Sequence, residues 1–530
     1  MDEEVRKPSS LTNQSIWILF AKVAGFALNT MLPLLVVRYL TLENVGVYRQ
    51  SFLIASNAVL VLPLGFSMSA YYFLNRDPEK RPATVFNILI FNFAMGAAAF
   101  LALYFFPQIL GSAFSSTELS RLAPSIGALI WIWIFSSFLE TAALAMQEAR
   151  LAAIFIVLSQ LFKTALMIAA VLYFHTVDSL IYATIVLFAV QAIVLVWYLN
   201  RKFPRFWSRF DWPFFREQFA YSLPFGLSVL LYVGQTDIHN YFVSHSFSAA
   251  EFAIYSVGCF QLPLIAMLYE SVGAVMIPRM SQMQDENKRR GMLELTVNAT
   301  QKLAFFYFPL FGYLMIVAGE FITTLFTKEY SASVTIFRVN LFALPLFSLV
   351  VDPITRAFPV AGRFLLKVRV LICAALLAIF WLGLGRFGLI EMISIVVASI
   401  LFEKLVCAWI SAKMLDAKAE DISLLGGIGK IAIAAGLAAA VLLGIYAAAG
   451  ASLLAGTILI SESILSAADI HKGAEFIGGS IFLGICLLIY AACYLPAAYI
   501  LGAIAPEDRQ MFFRFIKKVL PARETAAKAA

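Results

Sequence analysis

Residues 16–37 read IWILFAKVAGFALNTMLPLLVV, an apolar run with a single charge at Lys22. At 1.5 Å per residue such a helix covers about 33 Å, and a hydrocarbon core is about 30 Å thick. The run is too long for the apolar centre of a cleavable leader. It also lacks a small-x-small cleavage pattern before its polar end. It is expected to remain as a first transmembrane helix.

The pattern recurs along all 530 residues. Apolar runs separated by polar breaks predict about 14 helices, near 14–37, 47–73, 83–106, 120–146, 151–174, 178–200, 217–244, 251–278, 298–319, 332–356, 364–385, 388–413, 424–449 and 475–503. The stretch Ala451–Ser466 is apolar but interrupted by Gly and Ser, and reads as an interfacial or re-entrant piece in a long outer loop. Composition agrees. The chain is 62% hydrophobic and 13% charged, against about 45–50% and about 25% in an average soluble domain. A soluble globule, a disordered chain and a disulfide-stapled secreted fold are all excluded. The fold class is an all-α polytopic membrane protein.

Loop charges set the orientation. With the N-terminus inside, 27 of the 39 Lys and Arg fall in inner segments and 6 in outer ones. That is the positive-inside bias of a bacterial-type cytoplasmic (inner) membrane protein with both termini cytoplasmic. The net charge of +7 is therefore read as orientation, and nucleic acid is not an expected partner. The tail Asp508–Lys518 reads as an amphipathic segment on the anionic inner leaflet.

The basic linker Arg201–Arg216 follows the sixth run. It divides the chain into a six-helix unit (1–205), a second six-helix unit (206–418), and two further helices with the tail (419–530). Such a division suggests an internal repeat. Leu40-Thr-Leu-Glu-Asn-Val-Gly46-Val-Tyr48 joins runs one and two. Phe247-Ser-Ala-Ala-Glu-Phe-Ala253-Ile-Tyr255 joins runs seven and eight. An apolar residue, a small residue and a Tyr match at a constant offset of 207, while Glu43 and Glu251 differ by one register.

Val36-Val-Arg38-Tyr-Leu40 with Glu43-Asn-Val-Gly46-Val-Tyr48, and Pro278-Arg279-Met-Ser281, resemble motifs of polysaccharide-type transporters. These belong to the multidrug/oligosaccharidyl-lipid/polysaccharide exporter superfamily. The resemblance implies two six-helix lobes facing each other in a V, with helices 1, 2, 7 and 8 lining a central cavity. It also implies flipping of lipid-linked sugars from the inner to the outer leaflet. The lipid II flippase branch is similar in its fourteen-helix count, and there the two extra helices form a hydrophobic groove for the lipid tail.

Ionisable residues inside a membrane cost about 2.5–3.5 kcal/mol each on insertion scales and mark candidate sites. Lys22 shares one helical face with Gly25, Asn29 and Pro33. The seventh run carries Gln235, Asp237, His239 and Asn240, with Tyr241 and Ser244 beyond, and Glu270 interrupts the eighth. Glu140, Lys163, Lys302, Arg338 and the adjacent pair Glu403-Lys404 complete the set. A lipid pyrophosphate needs cations to replace its hydration, and Lys22, Arg49 and Lys163 are the candidates. Asn29, Gln235 and His239 are candidate cavity polar groups. Asp237 and Glu270 are candidates for a coupling proton or Na⁺.

The five Cys lie within apolar segments without a CxxC pair, and the four His are widely spaced, so no metal site or cofactor is expected. No Walker A, GxSxG, HExxH or CxxC motif occurs, and the one GxGxxG match, Gly383-Leu-Gly385-Arg-Phe-Gly388, falls between two apolar helical runs without the preceding strand that a dinucleotide-binding turn needs. The expected function is a non-enzymatic flippase for lipid-linked oligosaccharide, in contact with membrane lipids and with polysaccharide polymerase or export proteins. A cation-coupled small-molecule exporter, a lipid II-type precursor flippase and a membrane-embedded sugar polymerase are the alternatives.

Overall fold

The computed structural model describes residues 32–467 and 473–503, and the described residues contain helices, 3₁₀ turns and no strand. The principal helices are α1 (Leu42–Val61), α2 (Arg81–Phe105), α3 (Thr117–Ser136), α4 (Ala149–Phe174), α5 (Val177–Lys202), α6 (Trp212–Ser246) and α7 (Ala249–Gly258). Then come α8 (Pro263–Asp285), α9 (Arg289–Phe326), α10 (Ser333–Leu341), α11 (Pro359–Leu382), α12 (Leu389–Met414), α13 (Gly426–Ala467) and α14 (Ala474–Ile500). Among the described residues nine helices are long and apolar enough to cross a membrane, or eleven if two interrupted pairs each count as one span. The chain is an all-α polytopic membrane protein. The first run lies largely in residues 1–31, outside the described part, where only 32–39 are seen as helix. The expected amphipathic tail 508–518 also lies outside it.

Helix starts follow from side-chain caps. Thr41, Ser116, Thr176, Asp211 and Ser248 each accept a hydrogen bond from the backbone N–H three residues on. Such caps satisfy donors that the first helical turn leaves unpaired.

Four expectations need correction. The stretch Ala451–Ser466 is neither interfacial nor re-entrant: it continues α13, whose 42 residues span about 63 Å at 1.5 Å per residue. Its hydroxyls do not break the helix because they bond back into it. Thr457 Oγ1 donates to Leu454 O at 2.9 Å, Ser461 Oγ to Thr457 O at 2.8 Å, and Ser463 Oγ to Ile460 O at 2.8 Å. The run 332–356 is not one helix. It breaks into α10, a 3₁₀ turn at Pro345–Ser348 and a short helix Asp352–Ala357, as prolines 345 and 353 lack the N–H that would continue the backbone ladder. The run 47–73 bends by 41° between α1 and Phe66–Arg76, where Leu64 and Gly65 take left-handed φ of 47° and 70°. The run 251–278 is likewise interrupted at 259–262, just before Pro263.

By packing the chain groups into two units. The first holds the chain up to Cys259 with Arg369–Ile393, and the second Phe260–Val368 with the chain from Ser394 on. Apolar cores of the first gather Val47, Ile54, Leu119, Ile126 and Ile181 in one cluster, and Phe66, Val85, Ile88, Phe138 and Leu195 in another. In the second unit ion pairs tie the start of α9 to the segment after α12. Arg289 meets Asp416 at 2.5 Å, Arg290 meets Glu294 at 3.2 Å and also pairs with Asp421. Lys288 Nζ lies 2.7 Å from Glu286 and holds that carboxyl below its usual range.

Candidate functional site

The two hairpins that match at an offset of 207 meet in the first unit. Thr41 caps α1 at φ −66°, ψ 157°, and Ser248 caps α7 at φ −63°, ψ 161°. Glu251 closes a capping box, its carboxylate accepting from Ser248 N at 2.9 Å. Glu43 sits one position earlier in its helix, which accounts for the shifted acid. At the small-residue position α1 has Gly46, and a Cβ there would lie 1.8 Å from Ala249 O and 3.0 Å from Ala249 Cα. The start of α7 thus packs on bare α1 backbone. Of the matched tyrosines, Tyr48 packs on Phe52 with ring centroids 4.6 Å apart, and Tyr255 is fully buried.

Inward from this crossing a polar seam joins α1 to α6. Gln50 Nε2 donates to Ser244 Oγ at 2.6 Å, and Asn57 Nδ2 to Tyr241 OH at 3.1 Å. Gln50 and Asn57 are seven residues apart and share a face of α1, as Asp237, Tyr241 and Ser244 share a face of α6. Asn240 Nδ2 donates to Asp237 Oδ1 at 3.2 Å, and Asn57 reaches the same carboxylate. Asp237 therefore has two amide partners, and no ion pair among the described residues. His239 is buried, its Nδ1 2.8 Å from Tyr255 OH, so it fastens α6 to α7. Arg49 lies near enough to the Cys259 thiol and the Tyr48 hydroxyl to act on both electrostatically.

Of the sequence candidates, the first unit thus gathers Arg49, Asp237 and His239, with Gln235 half-buried on the same helix α6. Lys22 and Asn29 lie outside the described residues. Lys163 is half-buried on α4, which packs on α5 and on Phe138–Ala145. Glu270 is exposed and belongs to the second unit. Gln50 and Asn57 were missed, although their i,i+7 spacing in an apolar run was a usable signal.

The second unit has its own polar cluster. Tyr269 OH donates to Asp352 Oδ2 at 3.1 Å, and Lys404 Nζ lies 5.7 Å from the ring centroids of both Tyr269 and Phe347. Asp352 was missed because the run 332–356 was read as one helix ending there. The Asp-Pro step was the signal.

Between α8, α9 and α14 the second unit also holds a groove of about 270 Å³. Leu264, Leu268, Leu310, Leu487 and Leu495 line it with four tyrosines. Every one of those hydroxyls is turned to a backbone carbonyl: Tyr307 to Ile265, Tyr313 to Leu483, Tyr490 to Ala435 and Tyr494 to Phe305, at 2.7–2.9 Å. The groove therefore offers carbon faces. Among the described residues no three His, Cys, Asp or Glu side chains gather as metal ligands would.

The sequence profile of the family described as polysaccharide biosynthesis protein matches residues 35–335, more than half of the chain. The chain belongs to this polysaccharide biosynthesis protein family. No curated protein matches it significantly. Among solved structures it is similar to the lipid II flippase MurJ in an inward closed conformation, at 14% identity and TM-score 0.61, over 92% of this chain and 98% of that one. It is also similar to an inward-facing MATE-family multidrug resistance transporter of the MOP superfamily, at 13% identity and TM-score 0.56, over 74% and 96%. A MOP-superfamily transporter from Pyrococcus furiosus matches at 15% identity and TM-score 0.54, over 76% and 96%. These likenesses establish a MOP-type fold for this family member.

Proposed function

We propose that the protein is an alternating-access flippase that moves polyprenyl-pyrophosphate-linked oligosaccharide from the inner to the outer leaflet of a bacterial-type cytoplasmic membrane, for cell-surface polysaccharide assembly. The observation that carries this reading is the carbon-lined groove between α8, α9 and α14. A long hydrocarbon tail asks for an apolar track without hydrogen-bonding demands, and the four tyrosines meet that by committing their hydroxyls to the backbone. A small cationic cargo would ask for acidic walls instead. Family membership supports the sugar part of the cargo. Lys22, Arg49 and Lys163 are the proposed cations for the pyrophosphate, and Asn29, Gln235 and His239 the proposed polar surroundings.

Transport against a gradient needs a ligand that binds the two states differently. Asp237, held by Asn57 and Asn240 without an ion-paired cation among the described residues, suits a proton or Na⁺, and Glu270 is the second candidate. Handover of the flipped lipid to a polysaccharide polymerase follows from the proposed product. The test is a deletion strain assayed for leaflet-resolved lipid-linked oligosaccharide, complemented with wild type or Leu268→Trp. Accumulation on the inner leaflet, relieved by wild type and only weakly by the groove-filling variant, is expected. Unchanged outer-leaflet delivery in the deletion strain would refute the reading.

A further inference from the structure

The inner linker between α5 and α6 reads RKFPRFWSRFDWPFFR over residues 201–216, five cations against one acid. The acid is already committed, because Asp211 Oδ1 accepts from Phe214 N at 3.2 Å and caps α6. Lys202 pairs with Glu148, and the Arg201 guanidinium lies 5.7 Å from the Trp197 ring centroid. Arg205, Arg209 and Arg216 are exposed, and Arg209 and Arg216 make no ion pair among the described residues. Arg205 holds a left-handed backbone at φ 57°, ψ 35°, which reverses the chain into the turn Phe206–Ser208. Lys80, from the loop that precedes α2, joins the same surface with its Nζ 5.1 Å from the Phe214 ring centroid.

Large rings stand out between these cations. Trp207, Phe210 and Trp212 are 52%, 45% and 58% exposed. They are braced from behind. Trp207 packs on buried Phe206 at 5.4 Å, Phe210 on Phe86 at 6.4 Å, and Trp212 stacks on Phe215 at 5.3 Å, which in turn packs on buried Phe66 at 5.1 Å. Braced aromatic faces alternating with guanidinium groups, on a segment that directly follows the membrane-length apolar helix α5, match the boundary between acyl chains and head groups. We propose that this linker, with Lys80, is a binding surface for the phosphates of anionic phospholipid in the inner leaflet. Trp207, Phe210 and Trp212 enter the head-group boundary, and Arg205, Arg209 and Arg216 take the phosphates. The surface is independent of the cargo.

The test uses the purified full-length protein in vesicles of phosphatidylcholine, alone or with roughly one third phosphatidylglycerol. Its readouts are phosphatidylglycerol retained by native mass spectrometry and the shift in Tm. Wild type is expected to retain phosphatidylglycerol over phosphatidylcholine and to gain Tm from it. Each cation removed is expected to weaken retention about fivefold, so R205Q/R209Q/R216Q should lose about a hundredfold. The control R289Q/R290Q removes inner cations already paired with carboxylates and should keep the preference. W207A/W212A should weaken retention of both lipids alike. Should the triple variant not fold, the single exchange Arg209→Gln, at an exposed side chain, still carries the fivefold expectation. Wild-type retention in the triple or the single variant, or no preference in wild type, overturns the proposal.

Discussion

Replacing Gly46 by Ala tests the crossing of α1 and α7. The new Cβ would sit 1.8 Å from Ala249 O and 3.0 Å from its Cα. Both are backbone atoms, so no rotamer change relieves the clash, and the helices must separate by roughly 1.5 Å to restore ordinary contact. Overpacking of this kind costs about 1–3 kcal/mol. The same displacement stretches the bonds from Gln50 to Ser244 and from Asn57 to Tyr241, at 2.6 and 3.1 Å, past useful range. Each lost bond adds about 0.5–1.5 kcal/mol. Closure of the seam is thus expected to weaken by about 2–6 kcal/mol in all, or by about 1.5–4.5 kcal/mol where Ser244 is itself exchanged and only the Asn57 bond counts, and at 1.4 kcal/mol per decade its closed-to-open ratio should fall at least tenfold. The assay is labelling of Ser244→Cys, at a fully buried seam position, by an impermeant maleimide applied from the side opposite the basic loops. The Gly46→Ala background should label at least ten times faster than the parent. Gly319→Ala, where nothing lies within 4 Å of the added carbon, should label at the parent rate. Equal labelling in the parent and in Gly46→Ala would show that the backbone contact does not hold the seam shut.

Three further expectations rest on named residues. Reporter fusions after Arg205, Lys288 and Lys518 should report cytoplasm and one within 460–470 the outside; an outside report after Lys518 would contradict a single crossing by α13. Lys22→Ala should abolish transport at unchanged membrane abundance while Lys22→Arg keeps part of it, measured in the complemented deletion strain; full activity in Lys22→Ala would reduce Lys22 to an interface anchor. Asp237→Asn should uncouple substrate movement from proton or Na⁺ flux in proteoliposomes while substrate still binds, and unchanged coupled flux would pass the role to Glu270.

Most of the helical framework was legible because it is written in run lengths, and a membrane accepts only a narrow range of them. What escaped was local backbone chemistry. Gly and Ser within Ala451–Ser466 read as interruptions, yet the hydroxyls of Thr457, Ser461, Ser463 and Ser466 bond to their own helix and the Ala and Leu around them carry it onward. Pro345 and Pro353 acted in the opposite sense, dividing a run whose apolar length alone looked sufficient. The candidate site was legible in a similarly uneven way. Single charges stand out against apolar sequence, so Asp237 and Arg49 were found, but amides do not, so Gln50 and Asn57 passed as ordinary members of α1. The offset of 207 proved the most informative signal. It predicted two like hairpins, and the structure gives them nearly identical cap dihedrals and packs one against the other at Gly46. That contact gives the likeness of the two hairpins a physical meaning. At Gly46 itself the contact is backbone against backbone, with no side chain between α1 and the capped start of α7. The few hydrogen bonds inward of it then decide how firmly it closes. In the proposed flippase, a seam that opened and shut in every cycle would gain from a closure worth only a few kcal/mol, because a single bound ion or substrate could then tip it.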